Sequence, residues 1–350
     1  MIGRALPRVA SSVPPMEKGR ATSFRMRALL SALLLLVSAH AAVGEPVTLR
    51  YGQAYSALRS IFALPLLVAE REGYFAREEL NFVTIPIPGG GEKLIEALHD
   101  GSADIGHVAT PFLIQAALKG SDAVAIATEF NNPIYSLIAK PEIKSYADLK
   151  GKLLGVAAET GSITISIRKL LAMHGLRSTD YQAKFVDGTP ERLSCLTAGD
   201  CYAVPLGQPQ DFVAMRQGYR LLGLSTEAVP EFVYTVTAAR RSWASQNKDT
   251  VVRFVRALSA AFRFIRDPAK RNEVARSIVE TTGFAEANAR LTLSLYFEPE
   301  RNVLPFAGEI DPRGLATAIA FMGEAGVLKP PLPAPERFVD QQYLQAAGVK

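Results

Sequence analysis

The sequence predicts an α/β protein in two lobes, and three observations carry that prediction. Strand-like apolar runs alternate with helical stretches at the spacing of βα units from residue 47 onward. The rhythm starts again after IYSLIAK (134–140), as a second sheet would. Of the 350 residues the first 44 read as a removable leader, and the 306 that remain exceed a single core, which stops growing at roughly 250–300 residues.

The leader is the stretch MRALLSALLLLVSAHAAVG from Met26 to Gly44. It has a basic start (Arg25, Arg27), an apolar centre from Ala28 to about Ala39, and small residues on its exit side, the pattern of a signal peptide. Cleavage after Ala41 or after Gly44 fits equally, and Met26 is the better initiator. The apolar centre is shorter than the roughly 20 residues that span a bilayer. Export also changes the charge. Residues 1–44 hold six of the 39 Lys and Arg but one of the 34 Asp and Glu, so the mature chain has 33 of each sign. The basic excess that would suggest nucleic acid or a membrane surface therefore belongs to the discarded segment, and no nucleic-acid partner is expected.

In the first cycle VTLRYGQ (47–53) reads as a strand, and Phe62, Leu66, Ala69 and Phe75 follow near helical spacing. NFVTIPI, the helix EKLIEALHDG, the strand ADIGHVA, the helix PFLIQAALKG and the strand AVAIATEF come next, a parallel-sheet rhythm. In the second cycle KLLGVAA, AKFVDG, CYAVPL and YRLLGLS are strands. Helices over 163–174, 190–198 and 209–217 lie between them, each followed by the glycine that commonly ends a helix. EFVYTVTA (231–238) is a further strand, and the chain is helical almost to its end thereafter. There Val252, Val255, Leu258, Phe262 and Ile265 form one stripe, with Arg253, Arg256, Arg263 and Arg266 off it. The arginines are either a docking face or a solvated helix face, the second being expected. KPPLPAPERF (329–338) is expected to be an ordered tail strapped across the lobes.

Only two cysteines occur, and an exported chain meets an oxidising compartment, so a local Cys195–Cys201 disulfide is expected, although five intervening residues could leave the thiols on separate elements. CLTAGDC lacks metal-ligand spacing and no cofactor or metal is expected. GGGEK (89–93) lacks the Gly-Lys-Ser/Thr of a phosphate loop, there is no GxGxxG, GxSxG or HExxH, and His107 beside Ser102 and Asp104 has no triad spacing. An enzyme is not expected.

Candidate binding residues follow from where open α/β sheets take ligands, beyond the carboxyl ends of their strands. Thr110-Pro111, Thr189-Pro190 and Gln208-Pro209 each place a polar side chain and a helix-start proline after a strand. Thr160-Gly161-Ser162 joins a strand to a helix with two hydroxyls around a glycine turn. Thr110 and Thr189 could equally be plain helix caps.

LPLLVAEREGYFAREEL, GGGEKLIEALHDGSADIG and IKSYADLKGKLLGV, in that order and spacing, resemble the signature stretches of the periplasmic solute-binding proteins of the nitrate, sulfonate, taurine and thiamine-pyrimidine-precursor group, which serve ABC importers. The resemblance covers about 47–325 and implies a type II periplasmic-binding-protein fold, two doubly wound lobes joined by two crossing strands near 135–139 and 233–237. Lobe 1 would comprise 46–137 and 235–350, lobe 2 138–234, after the leader at 1–44. The resemblance places ligand contacts at Tyr55, Ser56, Phe62, Gly90, Thr110, Glu129, Phe130, Thr160, Ser162, Thr189 and Gln208. If Glu129 faces the cleft, it favours an amine-bearing or heterocyclic solute held by Tyr55, Phe62 or Phe130 over a bare anion. The expected partners are a small-molecule solute and an inner-membrane ABC permease, with the protein a periplasmic monomer. A sensor for a signalling receptor is the alternative. Thiamine-pyrimidine synthases resemble the group too, but they carry a cysteine-rich iron-binding motif that two cysteines do not supply.

Overall fold

The computed structural model of the chain describes residues 45–229, 231–297 and 301–349; the leader lies outside them. The first lobe begins with β1 (Val47–Ala54), α1 (Leu64–Arg71), β2 (Leu80–Ile87), α2 (Gly91–Asp100), β3 (Ile105–Ala109), α3 (Thr110–Leu118) and β4 (Ala123–Phe130). The second contains β5 (Ser136–Ala139), β6 (Leu153–Val156), α4 (Ser162–Met173), β7 (Gln182–Phe185), α5 (Thr189–Thr197), β8 (Ala203–Leu206), α6 (Gln210–Arg216) and β9 (Arg220–Leu224). The chain then returns through β10 (Thr235–Arg240) to α7 (Lys248–Arg266), α8 (Arg271–Thr282), α9 (Glu286–Tyr296) and α10 (Pro312–Glu324). None of these described helices is long and apolar enough to cross a membrane.

Each lobe is built on a five-stranded sheet, ordered β2-β1-β3-β10-β4 in the first and β7-β6-β8-β5-β9 in the second. The sequence rhythm predicts parallel sheets, and β1, β2 and β3 do pair parallel. β10, however, inserts antiparallel between β3 and β4, and β5 lies antiparallel between β8 and β9. The reason is topological. β4 leaves the first sheet at the end that faces the cleft, so the chain enters the second lobe from the cleft and β5 must run away from it. β10 repeats the move in reverse. The connections are irregular chain over 131–135 and around 231–234, joined by Tyr234 N–H donating to the carbonyls of Phe130 (3.0 Å) and Asn131 (2.9 Å). Crossing strands expected at 135–139 and 233–237 are thus strands of one lobe each, preceded by short irregular links.

β4 is buried along its whole length, as AVAIATEF implies for a strand covered on both faces. α7 buries the predicted stripe against the first sheet, with Phe254 stacking 6.0 Å from Tyr51. Three of its arginines are engaged within the lobe rather than presented to a partner. Arg253 pairs with Glu79 (3.0 Å), Arg256 with Glu78 (2.8 Å), and Arg266 donates to the Leu304 carbonyl (3.0 Å). The proline-rich tail does not strap the lobes together. Phe338 is buried, Val339 bridges to Ala125, and Asp340 N–H donates to the Ala125 carbonyl (2.9 Å), so the tail covers the otherwise open edge of β4. Contacts between the lobes include the pair of Glu324 on α10 with Lys169 of α4, and Arg216 Nη1 of α6 donating to Asn288 Oδ1 of α9 (2.9 Å). Cys195 on α5 and Cys201 before β8 form a disulfide with a Cα separation of 5.3 Å.

Candidate functional site

A cleft of about 610 Å³ opens between the lobes, where strands of both sheets end. The first lobe supplies the helical turn that follows β1, the Gly89–Gly91 turn before α2, and His107 and Ala109 at the end of β3. The second supplies the start of α4, the turn from Asp187 into α5, and Gly207-Gln208 after β8; Tyr135 and Tyr234 come from the links. Two glycines are required by this geometry. A Cβ on Gly91 would stand 2.5 Å from the Phe112 ring, and Gly188 takes φ 80° as the chain turns into α5.

Polar groups in the lining lack partners. Ser162, the first residue of α4, is 1% exposed and Thr235, at the head of β10, 2%; neither Ser162 Oγ nor Thr235 Oγ1 has a hydrogen-bond partner among the described residues. Gln208 is held by its Nε2, which donates to Asp211 Oδ2 (2.8 Å), so its amide orientation is fixed and its Oε1 is left buried and unpaired. Asp211 also accepts from Ser136 Oγ (2.7 Å) and Phe212 N–H (2.7 Å); burial raises its pKa against those hydrogen bonds. Unsatisfied buried polar atoms are rare and costly in folded proteins, so several in one cleft mark where a polar ligand belongs.

Arg192 is the strongest electrostatic feature. It is 2% exposed, yet no carboxylate among the described residues pairs with it. Nε donates to the Pro205 carbonyl (2.8 Å), Nη1 to the Val186 carbonyl (3.1 Å) and Nη2 to Thr189 Oγ1 (3.1 Å), which leaves two of a guanidinium's five N–H donors. Burial lowers its pKa, opposed by Tyr135, Tyr234 and the rim acids Asp187 and Glu191, while a guanidinium remains charged. Its Cζ stands 5.8 Å from the Tyr135 ring. A buried cation without a counter-charge is expensive, and an anionic group entering the cleft would relieve it.

Opposite, the first lobe carries a polar row across four adjacent strands. Glu129 of β4 accepts from Tyr51 Oη of β1 (2.5 Å), Thr237 Oγ1 of β10 (2.6 Å) and His107 Nδ1 of β3 (2.6 Å). Burial pushes the Glu129 pKa up, but the His107 charge and the three hydrogen bonds outweigh it and hold the carboxyl below its ordinary range.

Of the residues singled out in the sequence, Tyr55, Ser56, Phe62, Gly90, Ser162, Thr189 and Gln208 line the cleft together. Thr110, Glu129, Phe130 and Thr160 do not. Thr110 is wholly buried at the start of α3, where its N–H donates to the Tyr234 carbonyl (3.0 Å). Phe130 lies under Phe62, edge to face at 4.9 Å, as lobe core. Thr160 Oγ1 accepts from Gln115 Nε2 of the first lobe (3.1 Å), closing the gap between α3 and α4. Glu129 is sealed within the sheet, which removes the argument for an amine-bearing solute. Thr189 caps no backbone; it holds Arg192. Sequence reasoning missed Arg192 and Tyr234, and it set His107 aside for want of triad spacing. One signal was available: Arg192 shares the buried face of α5 with Cys195 and Leu196, three and four residues on, and a charge on an apolar face needs a reason.

Two α/β lobes around a cleft at the carboxyl ends of their strands have the periplasmic-binding-protein fold. Residues 62–270 match the profile of the family described as NMT1/THI5 like, and the chain belongs to that family. A 4-amino-5-hydroxymethyl-2-methylpyrimidine phosphate synthase of Schizosaccharomyces pombe is 25% identical over 59% of this chain and 63% of its own length. A putative aliphatic sulfonates-binding protein of Escherichia coli is 28% identical over 55% and 59%. These matches span less than two thirds of either relative. Among solved structures, the alkanesulfonate-binding protein from Xanthomonas axonopodis bound to MOPS superimposes with a TM-score of 0.68 at 18% identity, covering 85% of this chain and all (100%) of that one, a likeness of fold.

Proposed function

We propose that the protein is an exported receptor that captures a small solute between its lobes and delivers it to an ABC permease, without transforming it. The observation that carries the reading is the buried Arg192, which no carboxylate among the described residues pairs, in a cleft whose Ser162, Thr235 and Gln208 oxygens have no partner among them either. Such a lining suits an organic solute with an acidic group at Arg192, a hydrogen-bond donor at Gln208 Oε1, and a body against Phe62 and Tyr135. Lobes joined by short links close by a hinge, and the ligand-bound closed surface is what a permease would read. Export rests on the leader pattern of residues 26–44.

A thermal-shift screen of sulfonates, carboxylates, nitrate, pyrimidines and small amines tests this. A solute at about a hundred times its Kd should stabilise the fold by about 2.7 kcal/mol. No shift from any class, together with turnover of a pyrimidine precursor by the purified protein, would favour the synthase-like relatives instead.

A further inference from the structure

The receptor reading leaves one cleft group without a task. His107 lines the cleft with its side chain 10% exposed, its Nδ1 is committed to Glu129 at 2.6 Å, and its Nε2 has no partner among the described residues. Among the described residues no Lys or Arg pairs with Glu129; its three partners are a phenol, a hydroxyl and this imidazole. An ionised carboxylate only accepts, so Nδ1 must carry a hydrogen, and the tautomer is fixed with Nε2 as the variable atom. A neutral imidazole there would leave the buried pair with a net negative charge.

Resting on the receptor reading, we propose that His107 Nε2 is the first-lobe contact that selects the solute, donating to an oxygen acceptor, and that capture takes up a proton at that nitrogen. Glu129 is the positioning residue. The proton comes from solvent and resides on Nε2 between His107 and the solute oxygen; no other bond changes. The surroundings leave this nitrogen as the group that responds. Around it on its own lobe are Glu129 of β4, Tyr51 of β1 and Tyr234 of the link, with the Phe62 ring 6.4 Å away. Arg59 shares the lining from the segment before α1. Across the cleft stand the cation Arg192 and, at the exposed rim, Asp187 and Glu191. Protonation would turn Nε2 from an acceptor into a hydrogen-bond donor on the cleft lining.

The probe is ethanesulfonate, whose oxygens are acceptors only. Calorimetric titration in buffers of different ionisation enthalpy should record uptake of about one proton at pH 8 and affinity roughly tenfold tighter at pH 6. His107→Asn places an amide where Nδ1 donates to Glu129 but removes Nε2; it should keep the wild-type melting temperature and lose both proton uptake and the pH slope. Wild-type binding with no proton uptake, or an unchanged slope in His107→Asn, overturns the proposal. If ethanesulfonate does not bind, imidazole ¹⁵N shifts in the solute-free protein decide: protonated Nδ1 with Nε2 taking up a proton as pH falls supports it, and bare Nδ1 refutes it. That result stands apart from the receptor reading, which the solute screen tests.

Discussion

Arg192 is held by three acceptors of its own lobe and by no carboxylate among the described residues. A hydrogen bond to a charged group is worth about 1.5–3 kcal/mol, so Arg192→Gln should weaken solute binding by roughly 10- to 150-fold, read by calorimetry. Ser162→Ala removes an unpartnered hydroxyl, so the free protein should melt no lower while affinity falls. Glu129 makes a different prediction. Its folded pKa is depressed, so its stabilisation is complete above the ordinary glutamate value near pH 4.3 and is lost as pH falls through the lower folded value. Melting temperature should therefore drop on the acid side of about pH 4.3, with a shallower acid limb in Glu129→Gln. Both residues explain why sites are hard to read from sequence. TPERL looks like an ordinary solvated first turn, and ATEF looks like a strand end that exposes its acid; only the fold shows the arginine turned inward and the acid sealed among Tyr51, His107 and Thr237.

At the scale of elements, the disulfide closes a seven-residue loop between α5 and β8, and its removal should cost about 2 kcal/mol by loop entropy. Because Arg192 lies one turn before Cys195 on α5, reduction should also loosen the arginine, so reduced protein should bind more weakly as well as melt lower. Gly106 is set by strand packing. A Cβ there would meet the Gly52 carbonyl oxygen at 2.6 Å and Leu94 Cδ1 at 2.6 Å, forcing β1 from β3; Gly106→Ala should destabilise by about 1–3 kcal/mol in denaturant titrations. Strands and helices were legible because apolar period and terminal glycines are local signals. The antiparallel entry of β5 and β10 was not, since strand direction follows from which end of the lobe the chain enters. The tail's course was equally hidden: KPPLPAPERF shows order, but only the open edge of β4 shows where it lies.

For the whole molecule, the two-lobe division followed from length and from the restart of the βα rhythm, and the cleft from the rule that ligands sit beyond strand carboxyl ends. Seven of the residues proposed from sequence do meet there, Tyr55, Phe62 and Gly90 facing Ser162, Thr189 and Gln208 across the gap, with Ser56 beside Tyr55. A solute that touches both walls stabilises the closed arrangement by its differential affinity for it, and a solute bound to one wall would not. Hydrogen–deuterium exchange with and without a solute from the thermal screen separates these. Capture between the lobes should bring simultaneous protection of the first-lobe turns at 54–62 and 89–91 and of the second-lobe turns at 161–163, 187–192 and 207–210. Protection confined to one lobe, or none at these turns, would contradict capture between the lobes.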